Sequence, residues 1–343
     1  MTKPTFRLSR RTFLRLAAFA GLGVAAAAYE RVARRIGYVN YLRWLVRGQT
    51  QRLTGRPAVV ALGQCPTYGD DVSGVLRELW RSAAMPDVAG KRVLVKPNLI
   101  DVIEGHPTTT AAPVLAAVLD LLQELGAGEV VVGDGPCFRR EAWPAVEAAG
   151  WAAELARRKT RFVDLNYDDP RPVPIRDGWF ANQKTIWLPR HVREAELIVS
   201  VPKLKTHHWA GVSLSLKNLF GIVPGARYGW PKNMLHINSL PLSILGLYQL
   251  VRPMAAVVDG IVGMEGDGPL FGPAVPHGLL AVGADPVAVD ATCTQLMGLP
   301  VERVGYLWLA GWAGVGQIER IETRGESRER LFKQYELPPA GLT

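Results

Sequence analysis

From residue 57 onward, short runs of β-branched apolar residues alternate with longer stretches whose apolar residues recur every three or four positions. This alternation constrains the fold most, because parallel strands must be joined by crossovers and helices are the usual way to make them. The pattern predicts strands at 58–62, 92–95, 129–132, 197–201, 255–258 and 279–282. Helices are expected between them at 72–84, 111–125, 141–158, 240–251 and 286–297. The clearest helix runs from Thr110 to Gly126, with a capping residue at its start, helical apolar spacing and a glycine stop. Residues 160–195 break the rhythm: Val163, Val173, Ile175 and Ile186 sit among Asp, Pro and Gly, as in a β-rich excursion. The expected fold class is α/β, a mainly parallel open sheet with helices on both faces. It forms one domain over 57–335 with a β-rich insertion at about 160–195, and a chain of 343 residues can bury the core this needs.

The amino-terminal 56 residues differ in kind. They hold 12 of the 40 Lys and Arg but one acid, Glu30, for a net charge of +11, whereas residues 57–343 carry a net of −2. The net charge of +9 for the whole chain is therefore not a basic surface that tracks phosphates, and nucleic acid is excluded as a partner. Arg10 and Arg11 precede a run of 13 residues, 16–28, made mostly of Ala, Gly and Leu. That run is short for a spanning helix, which needs roughly 20 apolar residues, and suits the apolar part of a signal. Residues 1–30 thus resemble a twin-arginine leader, which implies the twin-arginine translocase as a partner. Export of folded cargo to the periplasm or the outer face of the cytoplasmic membrane would follow.

Residues 31–56 carry seven arginines and no acid, with Val32, Ile36, Val39, Leu42 and Val46 at helical spacing and Tyr38, Tyr41 and Trp44 alongside. Two readings stay open for this basic amphipathic segment: an interfacial helix on an anionic membrane surface, or a helix or linker against the body. Cys65, Cys137 and Cys293 are far apart with no C-x-x-C pair, so no self-contained iron–sulfur cluster is expected and buried thiols are the simplest reading.

Several expected strands turn polar at their carboxyl ends. Val95 runs into Lys96-Pro97-Asn98, Val132 into Gly133-Asp134-Gly135, and Val201 into Pro202-Lys203-Leu204-Lys205-Thr206-His207-His208. Val258 runs into Asp259-Gly260, and Val282 into Gly283-Ala284-Asp285-Pro286. Ligands of open parallel sheets bind along that edge, so all five exits are expected on one rim. Lys96, Asn98, Asp134, Lys203 and Lys217 are the candidate substrate-binding residues, with Arg227 nearby in sequence, and their charge suits a small anionic ligand. Lys205 and His207 are the candidate catalytic residues, His207 to move a proton.

Asp259, Glu265 and Asp267 fall within nine residues of a Gly-rich segment, a candidate site for a divalent metal to which His207, His208 and His236 could add nitrogen ligands. Asp285 and Asp290 could complete that site, although Asp285 before Pro286 reads first as a helix cap. Neither a phosphate-cradling glycine loop nor a G-x-S-x-G elbow occurs, so neither a nucleotide nor a serine triad is indicated.

The strings VPKLKTHHWAGVSLSLKNLFGIVPG (201–225), KPN (96–98), GDGP (133–136), VDGIVGMEGDGP (258–269) and GADPVAVD (283–290) resemble an uncharacterised family known as domain of unknown function 362. The resemblance runs from about residue 90 to 300 and implies the α/β fold and the same strand ends. It supplies no activity. Some relatives carry ferredoxin-like cysteine clusters, which are missing here. The resulting expectation is an exported enzyme acting on a small anionic metabolite at the carboxyl ends of the strands, with a divalent metal as its candidate cofactor. The alternative is a non-catalytic ligand- or metal-binding envelope protein, or an accessory subunit of a membrane redox complex.

Overall fold

The structure is a computed structural model that describes residues 36–137, 141–176, 178–180, 183–237, 239–251 and 253–338. The twin-arginine segment lies outside the described residues. Helix α1 (Tyr38–Thr54) precedes β1 (Ala58–Gln64), α2 (Val72–Ser82), β2 (Arg92–Pro97), α3 (Ala112–Glu124) and β3 (Glu129–Asp134). Then come α4 (Trp143–Ala148), α5 (Trp151–Arg157), β4 (Arg161–Asp164), the pair β5 (Arg171–Pro174) and β6 (Thr185–Leu188), α6 (Arg190–Glu194) and β7 (Leu197–Val201). Short strands β8 (Lys203–His207) and β9 (Gly211–Ser213) lead into a 3-10 turn, Lys217–Ile222, followed by α7 (Gly225–Tyr228), α8 (Asn233–Ile237) and α9 (Leu240–Leu250). The chain closes with β10 (Met254–Met264), β11 (Ala274–Gly283), α10 (Pro286–Leu296), α11 (Gly305–Trp312), β12 (Ile321–Gly325) and α12 (Arg328–Leu331).

One sheet runs β12-β1-β11-β10-β7-β2-β3-β4, with β8 and β9 added beside β10. Pairs β10–β7, β7–β2, β2–β3 and β3–β4 are parallel, and only β11 in the main path runs against its neighbours. The central strands are apolar on both sides because both faces are covered, as expected of parallel strands. Helices α2, α3 and α5 pack one face through Leu76, Leu115 and Trp151. Helices α9, α10 and α11 pack the other through Leu245, Val289 and Leu307. The expected strands and helices all fall on observed ones, except that 141–158 divides into α4 and α5 at Gly150, which takes a left-handed φ of 73°. The excursion at 160–195 also divides: β4 joins the main sheet, and β5 with β6 forms a separate antiparallel ribbon.

Two expectations about the rim change. Because β11 is antiparallel, its carboxyl end, with Asp285, lies at the opposite edge from the ends of β2, β3, β7 and β10. There Asp285 caps α10 by accepting from the Val287 and Ala288 N–H groups, at 2.9 and 3.3 Å. The segment after Val258 is strand as far as Met264, so Asp259 sits in the ladder opposite Lys203 rather than in an open loop.

Helix α1 packs on the body through the face opposite its apolar stripe. Trp44 is buried and stacks on Trp179, ring centroids 3.9 Å apart. Gly48 lies against the Trp312 carbonyl so closely that a Cβ would come within 1.9 Å of its oxygen. Val39, Leu42 and Val46 instead face outward. No helix of the described residues is long and apolar enough to cross a membrane.

A lysine-lined candidate site at the strand ends

Lys96 at the end of β2 is fully buried, which is tolerable only with partners. Its ammonium lies 2.8 Å from Asp134 Oδ2 at the end of β3 and donates to Asn218 Oδ1 (3.1 Å) and the Pro97 carbonyl (2.6 Å). The Asp134 carboxylate also accepts from the Leu99 and Gly135 N–H groups, at 2.8 and 2.7 Å. Asn218 returns hydrogen bonds to the Lys96 carbonyl and Ser200 Oγ, which ties the 3-10 turn to β2 and β7. Gly221 on that turn presses on the ion pair: a Cβ there would fall 2.0 Å from Asp134 Oδ1 and 2.6 Å from Lys96 Cε. Burial pulls the Lys96 pKa down, and Asp134 opposes that shift.

Above this pair is a narrow cleft lined by Lys96, Asn98, Asp134, Cys137, Lys217 and Asn218, with a volume of about 30 Å³, on the scale of one or two water molecules. Asn98 is only 6% exposed and its Oδ1 has no hydrogen-bond partner among the described residues. Lys217 places its ammonium 3.8 Å from the centre of the Phe220 ring. Burial, with Lys232 and Lys96 nearby, lowers its pKa to about 8, although Cys137 opposes the shift.

The other lysines of this region are occupied. Lys203 pairs with Asp259 at 2.9 Å and also contacts the Tyr68 hydroxyl. Asp259 accepts in addition from Tyr68 (3.1 Å) and the Ala111 N–H (2.8 Å). Among the described residues Lys205 is held by the carbonyls of Thr108 (2.9 Å) and Pro269 (3.4 Å), and burial pushes its pKa well down. Lys232 donates to the carbonyls of Gly135 and Phe220, at 2.8 and 3.1 Å. Lys217 alone among these five has no oxygen partner among the described residues.

The candidate residues thus separate. Lys96, Asn98, Asp134 and Lys217 line one cleft; Lys203, Lys205 and His207 do not. His207 is 4% exposed, and its Nδ1 accepts from the Trp209 and Ala210 N–H groups at 3.0 and 3.2 Å. Burial and then Lys217 hold its pKa well below the usual histidine range, so the neutral ring keeps its proton on Nε2. Nδ1 is thereby occupied as an acceptor, and the ring can offer a hydrogen bond but no lone pair. Arg227 stacks on Trp187, with its guanidinium carbon 4.6 Å from the ring centre.

Asp259, Glu265 and Asp267 do not converge on a metal. Asp259 faces Lys203, Glu265 accepts from the Glu336 N–H at 2.8 Å, and Asp267 is exposed. No three His, Cys, Asp or Glu among the described residues form a metal-binding group. Asp290, on α10, anchors the loop before Lys217 by accepting from the Ser215 and Leu216 N–H groups at 2.8 and 3.0 Å, and burial raises its pKa to about 7. Asn218 and Lys232 are the functional neighbours that sequence reasoning missed. Asn218 adjoins Lys217, but only the fold shows that it braces β2.

Fold and cleft define an α/β protein with a lysine-lined cleft at the carboxyl ends of parallel strands. The chain belongs to the family described as Domain of unknown function (DUF362), which matches residues 93–295, more than half of its length. The thylakoid-associated protein sll1697 of Synechocystis is 31% identical over 217 residues, covering 61% of this chain and 64% of the relative. The chain therefore spans less than two thirds of that curated relative. Two solved structures share part of the layout. A protein of Thermotoga maritima has 13% identity and a TM-score of 0.38, over 68% of this chain and 59% of that one. The lactate racemase apoprotein of Thermoanaerobacterium thermosaccharolyticum has 14% identity and a TM-score of 0.43, over 71% and 58%. Both likenesses are too weak to support a statement about this chain.

Proposed function

We propose that the chain is an exported enzyme whose strand-end cleft takes a small anionic metabolite, with Lys217 receiving the anionic group. The observation that carries this reading is the contrast among the lysines. Four are tied to oxygens of the protein, whereas the Lys217 cation lines the cleft against the Phe220 ring with no oxygen partner among the described residues. A buried carbonyl oxygen without a donor costs free energy, so the Asn98 Oδ1 in the same cleft calls for a hydroxyl or amine on the ligand. The ligand class is then a small carboxylate or phosphate that also carries a hydrogen-bond donor. Burial makes the Lys96 ammonium at the floor of the cleft more acidic, and Asp134 and Asn218 hold it in place. Export rests on Arg10-Arg11 and the apolar run that follows, and the name of the thylakoid-associated relative agrees with a place at a membrane.

The test is a thermal-shift screen of small hydroxy and amino carboxylates and phosphates, run on wild type and Lys217→Met. At least one should stabilise wild type and leave the variant unmoved. Equal shifts in both, or none in wild type, would remove the cleft as the site. Fractionation of cells making the native chain and a variant with Arg10 and Arg11 changed to Lys tests export separately: the native chain should reach the envelope and the variant should not.

A further inference from the structure

Helix α1 has two unlike faces. Trp44 and Gly48 bind it to the body, and Arg47 Nε donates to the Ala313 carbonyl at 2.6 Å. On the other side Val39, Leu42, Val46 and Leu53 are 62%, 39%, 64% and 81% exposed. Their spacing of three, four and seven residues puts them on one stripe about 21 Å long, at 1.5 Å of rise per residue. Tyr38 is exposed at the start of the helix, and Trp308 is exposed on neighbouring α11, stacked on Trp312. Isolated exposed apolar residues are ordinary, but an unpartnered apolar stripe on a helix fixed to the body is not.

We infer that this face of α1 is a docking surface for an anionic lipid membrane, lying in the plane of the interface while the opposite face holds the domain. Charge complementarity selects the occupant: residues 31–56 carry seven arginines and no acid. A stripe of Val and Leu with aromatics beside it suits the boundary between headgroups and acyl chains, and the segment's net positive charge favours an anionic surface although Arg47 is held by the Ala313 carbonyl and Arg52 lies 3.9 Å from Glu319. The helix is bound to the body by contacts that leave the stripe unused, so docking needs no rearrangement of the fold. This inference rests on the placement at a membrane proposed above and is independent of the chemistry in the cleft.

The test uses the full chain with a polarity-sensitive fluorophore on a cysteine placed by Val46→Cys, in a Cys137→Ser background because Cys65 and Cys293 are buried. Vesicles of phosphatidylcholine with about 30% phosphatidylglycerol, which gives a negative surface, are compared with pure phosphatidylcholine. The probe should shift to the blue with the anionic vesicles and much less with the neutral ones. Adding Leu42→Glu with Leu53→Glu, both on exposed positions, should weaken that response roughly tenfold or more. Vesicle binding with a probe still in water would mean that residues 16–28 alone hold the chain, and would overturn the inference. A blue probe before any vesicle is added would mean that the chain's own amino-terminal segment covers the stripe, and would overturn it as well. Because vesicles report docking directly, failure here is distinct from failure of export, which the fractionation experiment reads.

Discussion

Replacing Lys96 by Met tests the logic of the cleft floor. The two side chains of the Lys96–Asp134 pair are 1% and 2% exposed and their charged atoms are 2.8 Å apart. Removing one partner of a buried pair typically costs about 3–5 kcal/mol, because the other charge stays buried. Lys96→Met should lie near the lower end, about 3 kcal/mol, since Asp134 keeps its two main-chain donors, Leu99 and Gly135. Asp134→Asn leaves Lys96 with the Pro97 carbonyl and Asn218. The penalty there is softened further, because a lysine whose pKa burial already lowers can shed its proton. The double variant should cost less than the sum of the singles by about 2 kcal/mol, which is the signature of direct coupling. Urea denaturation at pH 7 of all four proteins, with slopes checked for equality, closes the cycle. Additivity within about 0.5 kcal/mol would refute the argument that the pair acts as one buried unit.

Two further outcomes follow from close contacts. Gly221→Ala should lower stability by about 1–3 kcal/mol, read as a fall in the denaturation midpoint, because the new methyl meets Asp134 and Lys96 and the turn bearing Lys217 must move. Trp44→Ala should loosen α1 without unfolding the sheet. Hydrogen exchange across 38–54 should accelerate about 100-fold, with the strands unaffected, and unchanged protection would show that the stack on Trp179 does not hold the helix.

The fold was legible because its signals are local. Val93 to Val95, Val130 to Val132 and Leu197 to Val201 are apolar runs of strand length, and each leads into turn residues. Strand direction is not local. Nothing in residues 274–283 says that β11 runs against its neighbours, so Asp285 was placed on the wrong edge of the sheet. The segment 203–207 looked like a polar loop because strands with buried lysines are rare. It is a strand because Lys203 finds Asp259, 56 residues away, and Lys205 finds carbonyls of two other loops. The same blindness to distant partners made Asp259, Glu265 and Asp267 look like one acidic cluster, although Asp259 is neutralised across the ladder and Glu265 binds main chain near the carboxyl terminus. Lys217 is legible in the sequence as a candidate binding residue, but what sets it apart from the other lysines, the lack of an oxygen partner among the described residues, shows only in the fold.

The most direct test of the cleft is the pH dependence of anion affinity, measured by calorimetry with a carboxylate found in the thermal-shift screen, whose own charge does not change above pH 6. Lys217 titrates at about 8, so its cation is present below that pH and is lost above it. Affinity in wild type should hold steady from pH 6 to 7 and fall about tenfold per unit above pH 8, while Lys217→Arg, charged throughout, should lose this fall. A wild-type profile that stays flat through pH 9, or one that Lys217→Met reproduces, would contradict the assignment of Lys217 as the residue that receives the anion.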